Sequence, residues 1–137
     1  MIERSIFRED KMECYFYGKI REDGDNKENN AVVSFFIPEL GISFRAQFQG
    51  NIYECEYASL LSLLEFIELN PHLFKNKHLE IFGDSYIVVN QVNMCLICTN
   101  ELKPYRDMAL GYKKKFPFIL SWIPKSENPA QDEFATR

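Results

Sequence analysis

Between residues 42 and 67 the apolar residues change their period, and that change constrains the fold more than any other feature of the chain. Ile42, Phe44, Ala46 and Phe48 alternate with Ser43, Arg45 and Gln47, the two-residue repeat of a strand with one buried face. Tyr57, Leu60, Leu61, Leu64 and Ile67 then fall at helical spacing, ahead of Pro71, and mark a helix with one apolar stripe. The chain therefore builds both a sheet and a helix to lay on it.

The segments on either side extend this pattern. Residues 12–20 (MECYFYGKI) read as a first strand and 21–30 as a polar loop, while AVVSFFI, PELG and ISFRAQF make a hairpin. Three early strands with short connections should run antiparallel. HLEIFG forms a further strand that stops at Gly83, where a single carboxylate, Asp84, stands between two apolar runs. An acid so placed is held near the core and needs a partner. The β-branched residues of YIVVNQV favour continuing the strand to Val92, but Gly83-Asp84-Ser85 breaks it, and Ser85 or Asp84 can cap a new helix.

Leu102, Tyr105, Ala109, Tyr112 and Phe116 repeat at helical spacing with Pro104 in the first turn, FPFILSWIP is a last buried strand, and NPAQDEFATR is a short final helix begun by Asn128. The order is three antiparallel strands, helix, strand, helices, strand, helix. It predicts an α/β fold with a mixed five-stranded sheet, three antiparallel strands followed by two parallel ones, and helices on both faces. With no internal repeat or linker, residues 1–137 form one domain.

Composition supports a packed core: 46% of the 137 residues are hydrophobic and 15% aromatic. A net charge of −4 argues against coating nucleic acid or membrane through bulk charge. Local basic character is confined to Lys103, Arg106, Lys113, Lys114 and Lys115. The opening MIERSIFRED lacks a signal-like apolar run and no stretch approaches membrane-spanning length, which points to the cytoplasm and to no membrane partner. Cys14, Cys55, Cys95 and Cys98 each sit among apolar residues and are read as small packing groups. Cys95-Leu-Ile-Cys98 has no second ligand pair, and His72 and His78 lie elsewhere.

On the first helix Glu54, Glu65 and Glu68 fall on the outer side. Glu56 lies one turn before Leu60, at the edge of the buried stripe. An acid favouring the positive end of the helix dipole is its bland reading.

Four segments in order, 55–66 (CEYASLLSLLEF), 81–92 (IFGDSYIVVNQV), 101–116 (ELKPYRDMALGYKKKF) and 121–135 (SWIPKSENPAQDEFA), resemble the ribonuclease H family, in the short type-1-like branch that includes reverse-transcriptase-associated domains. The resemblance implies Mg²⁺-dependent hydrolysis of the RNA strand of RNA–DNA hybrids, with two ions held by four carboxylates. It places three of them at Glu56, Asp84 and Asp132. Hard divalent cations take oxygen ligands, and two of them about 4 Å apart stabilise both the attacking and the leaving oxygen of a phosphodiester. Three carboxylates brought together should raise the pKa of at least one.

The chain departs from the family where the first strand should supply its Asp: Tyr17 stands there, followed by Gly18. A neutral phenol is a poor Mg²⁺ ligand at pH 7. Asp23, followed by Gly24, is an alternative source of the acid. The polar turn that meets the hybrid in the family is Asn51-Ile52-Tyr53, with Asn51 alone polar, and position 86 is Tyr where the family often has Gln. Two functions follow from the resemblance: a Mg²⁺-dependent nuclease using Glu56, Asp84 and Asp132, and an inactive module of the same fold that binds nucleic acid, as RNA–DNA hybrid or duplex RNA, or a protein. In either case Asn51, Lys103, Arg106 and Lys113 to Lys115 are the candidate substrate contacts.

Overall fold

The computed structural model describes residues 10–21 and 30–131. Five strands, β1 (Lys11–Ile20), β2 (Asn30–Ile37), β3 (Ile42–Gln49), β4 (His78–Gly83) and β5 (Phe118–Trp122), form one sheet in the order β3-β2-β1-β4-β5. β1 pairs antiparallel with β2, β2 antiparallel with β3, β1 parallel with β4 and β4 parallel with β5. This is the expected mixed sheet of three antiparallel strands followed by two parallel ones. Helices α1 (Ile52–Leu69), α2 (Tyr86–Val92) and α3 (Lys103–Lys115) and short 3-10 turns complete the described elements. No helix among the described residues is long and apolar enough to cross a membrane.

The core lies between the sheet and α1. Met12, Cys14 and Phe16 of β1, Phe35 and Ile37 of β2, and Leu79 and Ile81 of β4 share that face with Tyr57, Leu60, Leu63 and Leu64. The buried stripe of α1 is rotated slightly from the sequence reading. Leu61 is half-buried, while Cys55, Ser59 and Leu63, spaced at four, are fully buried. Cys55 is brought against β1 by Gly18, where an added Cβ would lie 2.9 Å from the Cys55 sulfur and 3.0 Å from its backbone. The Ser59 hydroxyl bonds both the Tyr17 and the Cys55 carbonyls, which satisfies a polar group with no access to water.

The other face of the sheet carries Tyr17 and its cross-strand partner Ser34. The Ser34 hydroxyl donates to the Ala130 carbonyl at 3.0 Å, so the 3-10 turn Pro129–Gln131 covers this part of the second face. Asn128 begins that turn, as expected for the final element. Asp132 and the rest of the expected helix lie outside the described residues, as does Asp23 in the 22–29 loop.

Three expectations are corrected by position in the sheet. β3 is an edge strand, so the apolar face it offers is only half-buried and Phe44 remains 38% exposed. β5 is the opposite edge: Phe118 and Leu120 are buried, while Ile119 and Trp122 are not. Cys95 is exposed, unlike the other three cysteines, although Cys98 in the same connection after α2 is buried.

The break at Gly83 has a steric cause. An added Cβ there would lie 2.2 Å from the Phe16 ring, so only glycine lets that ring pack beneath the end of β4. Ser85 then caps α2, its hydroxyl accepting from the Val88 N–H, and the β-branched run coils as a helix against strand propensity.

Candidate functional site

Parallel pairing sets the site. The register of β1 and β4 ends at Phe16 opposite Gly83, and one residue further Tyr17 and Asp84 stand side by side at the carboxyl end of β4. Clefts at the carboxyl ends of parallel strands are the usual binding place in sheets of this kind. Here Tyr17, Lys19, Ile52, Glu56, Asp84 and Lys125 line an open cleft of about 560 Å³.

Glu56 reaches the cleft from the first turn of α1. Asn51 accepts from the Glu54 N–H at 2.8 Å, and Glu54 accepts from the Asn51 N–H at 2.9 Å, a reciprocal cap that fixes the start of the helix. Asn51 is thus occupied in holding the helix, and Glu54, read as a solvated outer charge, is its partner. Burial pushes the Glu56 carboxyl up from 4.5 to about 7, and the neighbouring Asp84 charge acts in the same direction. The Ser85 hydroxyl, which donates to Glu56 Oε1 at 2.7 Å, opposes the shift. Ser85 therefore couples the α2 cap to the cleft.

Asp84 is also raised by burial, against the lowering influence of its own backbone, the Asn128 side chain and the Lys125 charge. Its carbonyl accepts from the Trp122 indole N–H at 3.2 Å, which ties the β4 turn to the end of β5. Glu56 and Asp84, both half-buried, thus carry raised carboxyl pKa values with burial as the larger cause in each.

Lys125 was not singled out by the sequence, and Asn128 was read only as the start of the final element. Asn128 is almost fully buried, donates to the Phe16 carbonyl at 2.9 Å and accepts from the Ala130 N–H. It pins the C-terminal turns to β1 one residue before Tyr17. The Lys125 ammonium lies 5.9 Å from the centre of the Tyr17 ring. Only the sequence proximity of PKSEN to the expected acid at 132 hinted at either residue.

The structure brings Glu56, Asp84 and Tyr17 together, and Asp132 lies outside the described residues. A divalent cation needs several oxygen ligands, and the donor set of the cleft supplies two carboxylates with a phenol ring, 8% exposed, in the third position. Among the described residues no group of three or more His, Cys, Asp or Glu side chains could hold a metal ion. The described residues therefore do not complete a two-ion centre.

The basic residues do not form one patch. Lys103 and Arg106 border a separate hollow of about 480 Å³ with Met94 to Cys98. Arg106 contacts Asp107 at 3.2 Å, Lys115 pairs with Glu68 at 2.7 Å, and Lys113 lies over the Phe118 ring. Lys114 is exposed. Tyr86 is 61% exposed and meets Trp122 edge-on.

No family model matches the chain, and no curated protein does. Solved structures do. A compost-derived enzyme, LC11-RNase H1, in complex with an RNA/DNA hybrid, is 19% identical, with 86% of this chain and 88% of that one covered at a TM-score of 0.73. RNase H1 from the halophilic archaeon Halobacterium salinarum is 18% identical, with coverages of 88% and 90% and a TM-score of 0.71. The foamy viral protease-reverse transcriptase in complex with dsDNA is 15% identical over 94% of this chain and 91% of that one, at a TM-score of 0.64. At such identities the likeness establishes the fold: the chain has the ribonuclease H fold.

Proposed function

We propose that this chain is a ribonuclease H family domain that binds the backbone of a nucleic-acid duplex, RNA–DNA hybrid or duplex RNA, and that its hydrolytic activity is impaired. The observation that supports the reading is the lining of the cleft: Glu56 and Asp84, two acids that the resemblance names as metal ligands, share it with Tyr17, which lies one residue past the last paired position of β1 and β4. It also holds Lys19 and Lys125, cations of the kind that make phosphate contacts. The solved relative with an RNA/DNA hybrid supports the choice of ligand class.

A second reading has one observation in its favour. Glu56 and Asp84 both have raised pKa values in a cleft, a pattern frequent at functional sites, and with Asp132 they would make a reduced nuclease centre. Fluorescence anisotropy with labelled hybrid, duplex RNA and duplex DNA tests the first reading, and a cleavage assay with Mg²⁺ tests the second. Binding that falls steeply with salt, without cleavage, is expected. Absence of binding to all three duplexes sinks the proposal, and cleavage by the wild-type chain at the rate of its Tyr17→Asp variant replaces it with the enzyme reading.

A further inference from the structure

We propose that Lys125 is the built-in counter-cation of this cleft, an ammonium that balances Asp84 beside the Tyr17 ring and keeps a divalent cation out. The inference rests on the reading of the cleft given above and names what replaces the ion there.

Two observations carry it. Lys125 lines the same cleft as Glu56 and Asp84, and its ammonium stands 5.9 Å from the centre of the Tyr17 ring, within reach of a cation–π attraction. The position is built by the backbone: Glu127 N–H bonds the Pro124 carbonyl, Asn128 N–H bonds the Lys125 carbonyl, and the buried Asn128 amide bonds the Phe16 carbonyl of β1. The turn carrying Lys125 is thus fastened to the residue before Tyr17 and cannot drift from the cleft without breaking a buried hydrogen bond.

Electrostatics explains what such a lysine does. Two half-buried carboxylates repel one another and call for positive charge. In a site with a full ligand set a divalent ion supplies it. Here a covalently tethered ammonium supplies part of it at no cost of association, and a divalent ion entering the cleft meets like charge there. Tyr17 contributes the ring face on which the ammonium rests. Tyr17 and Lys125 act together: the first removes a ligand, the second replaces the charge.

The test uses the full chain and metal alone, without nucleic acid, so that its outcome is independent of duplex binding. Isothermal titration with MnCl₂ and with MgCl₂ compares wild type with Lys125→Met, Lys125→Gln and Lys125→Arg. Lys125 is exposed, so the neutral variants should stay folded, which circular dichroism checks. Wild type and Lys125→Arg should bind either ion weakly, and both neutral variants should bind about tenfold more tightly, equivalent to about 1.4 kcal/mol. Equal isotherms for wild type and the neutral variants overturn the proposal, whether both bind or neither does. Tight binding by Lys125→Arg also overturns it, since that variant keeps the charge. Duplex binding measured in EDTA remains a separate result: its loss in wild type would remove the proposed function and leave the counter-cation standing.

Discussion

β1 and β4 run parallel within one sheet and pair as far as Phe16 and Gly83, yet they deliver different chemistry to the cleft beyond that point. β4 ends on Gly83 and turns out Asp84, whose carboxyl pKa is raised by burial and drawn down by the Asn128 side chain and the Lys125 charge. β1 continues through Tyr17, whose backbone carbonyl accepts from Ser34 and Ser59 while its ring lies under the Lys125 ammonium. The backbone frame is equally well made on both strands, down to glycines that permit close packing at Gly18 and Gly83. The difference lies in one side chain. A fold of this kind can therefore keep its geometry intact while its chemistry changes, because the packing at the cleft depends on the glycines, serines and Asn128 rather than on the acids.

The strongest way to break the contrast is to make β1 resemble β4. Tyr17→Asp removes a buried ring and adds a third carboxylate beside Glu56 and Asp84, so the metal-free variant should lose roughly 2 to 5 kcal/mol of stability by chemical denaturation. Mg²⁺ should return part of it. A ligand specific for the folded state adds about 2.7 kcal/mol at a hundredfold excess over Kd, read as a rise in melting temperature that wild type shows only slightly. If Mg²⁺ leaves the variant's melting temperature unchanged, Tyr17 is not what separates this cleft from a metal centre.

Gly83→Ala attacks the shared frame instead. Its methyl would enter the space of the Phe16 ring, and overpacking of this kind costs roughly 1 to 3 kcal/mol. A denaturation midpoint equal to that of wild type would show that the ring can move aside and that the glycine is not needed for the strand end.

How much of this was legible in the sequence follows from the kind of signal each part leaves. The order of the five strands and of α1 and α3 rests on apolar periods, which repeat over many residues, while α2 was readable from the Gly83-Asp84-Ser85 break alone. Exposure of the sheet edges was not. Ile119 and Trp122 look like core residues in a local window, because nothing in a single strand says whether another strand or helix will cover it. In the site, Glu56 and Asp84 stood out as acids interrupting apolar runs. Lys125 and Asn128 did not, since a lysine and an asparagine in PKSEN have the composition of any turn. Their role comes from contacts with β1 more than 100 residues away, as in the bond from Asn128 to Phe16, and such pairing leaves no local trace. Asn51 carries a second role that the resemblance did not suggest: named as a candidate substrate contact, it is also the cap of α1.

The two acids can be set against each other through pH. The folded-state pKa of Glu56 is raised from 4.5 to about 7, so the folded chain binds a proton more readily than the unfolded one. Stability from this group is therefore fully present below about 4.5 and lost as pH rises towards about 7. Asp84 is raised as well and adds a loss of the same sign. Glu56→Gln, which can still accept from Ser85, should be more stable than wild type at pH 8 by on the order of 1 to 2 kcal/mol, after discounting for the solvent the carboxyl retains. The advantage should vanish near pH 4. A difference independent of pH would show that Glu56 is not held in the protonated form by its burial.

The smallest effect sharpens the contrast between the cleft and the α3 face. If duplex binding runs through the cleft, charge reversal of Lys113, Lys114 and Lys115 changes affinity little, because Lys115 already pairs with Glu68 and Lys113 lies against the Phe118 ring. If the helix face is the phosphate surface, each lost phosphate contact lowers the slope of log affinity against log salt by about 0.9. The stability cost is small in either case, because the pair of Lys115 with Glu68 is solvent-exposed. The salt slope therefore decides between the two surfaces. An unchanged slope in the triple reversal together with a reduced one in Lys19→Ala places the duplex on the cleft side, where β1 and β4 diverge, and the opposite pattern moves it to α3.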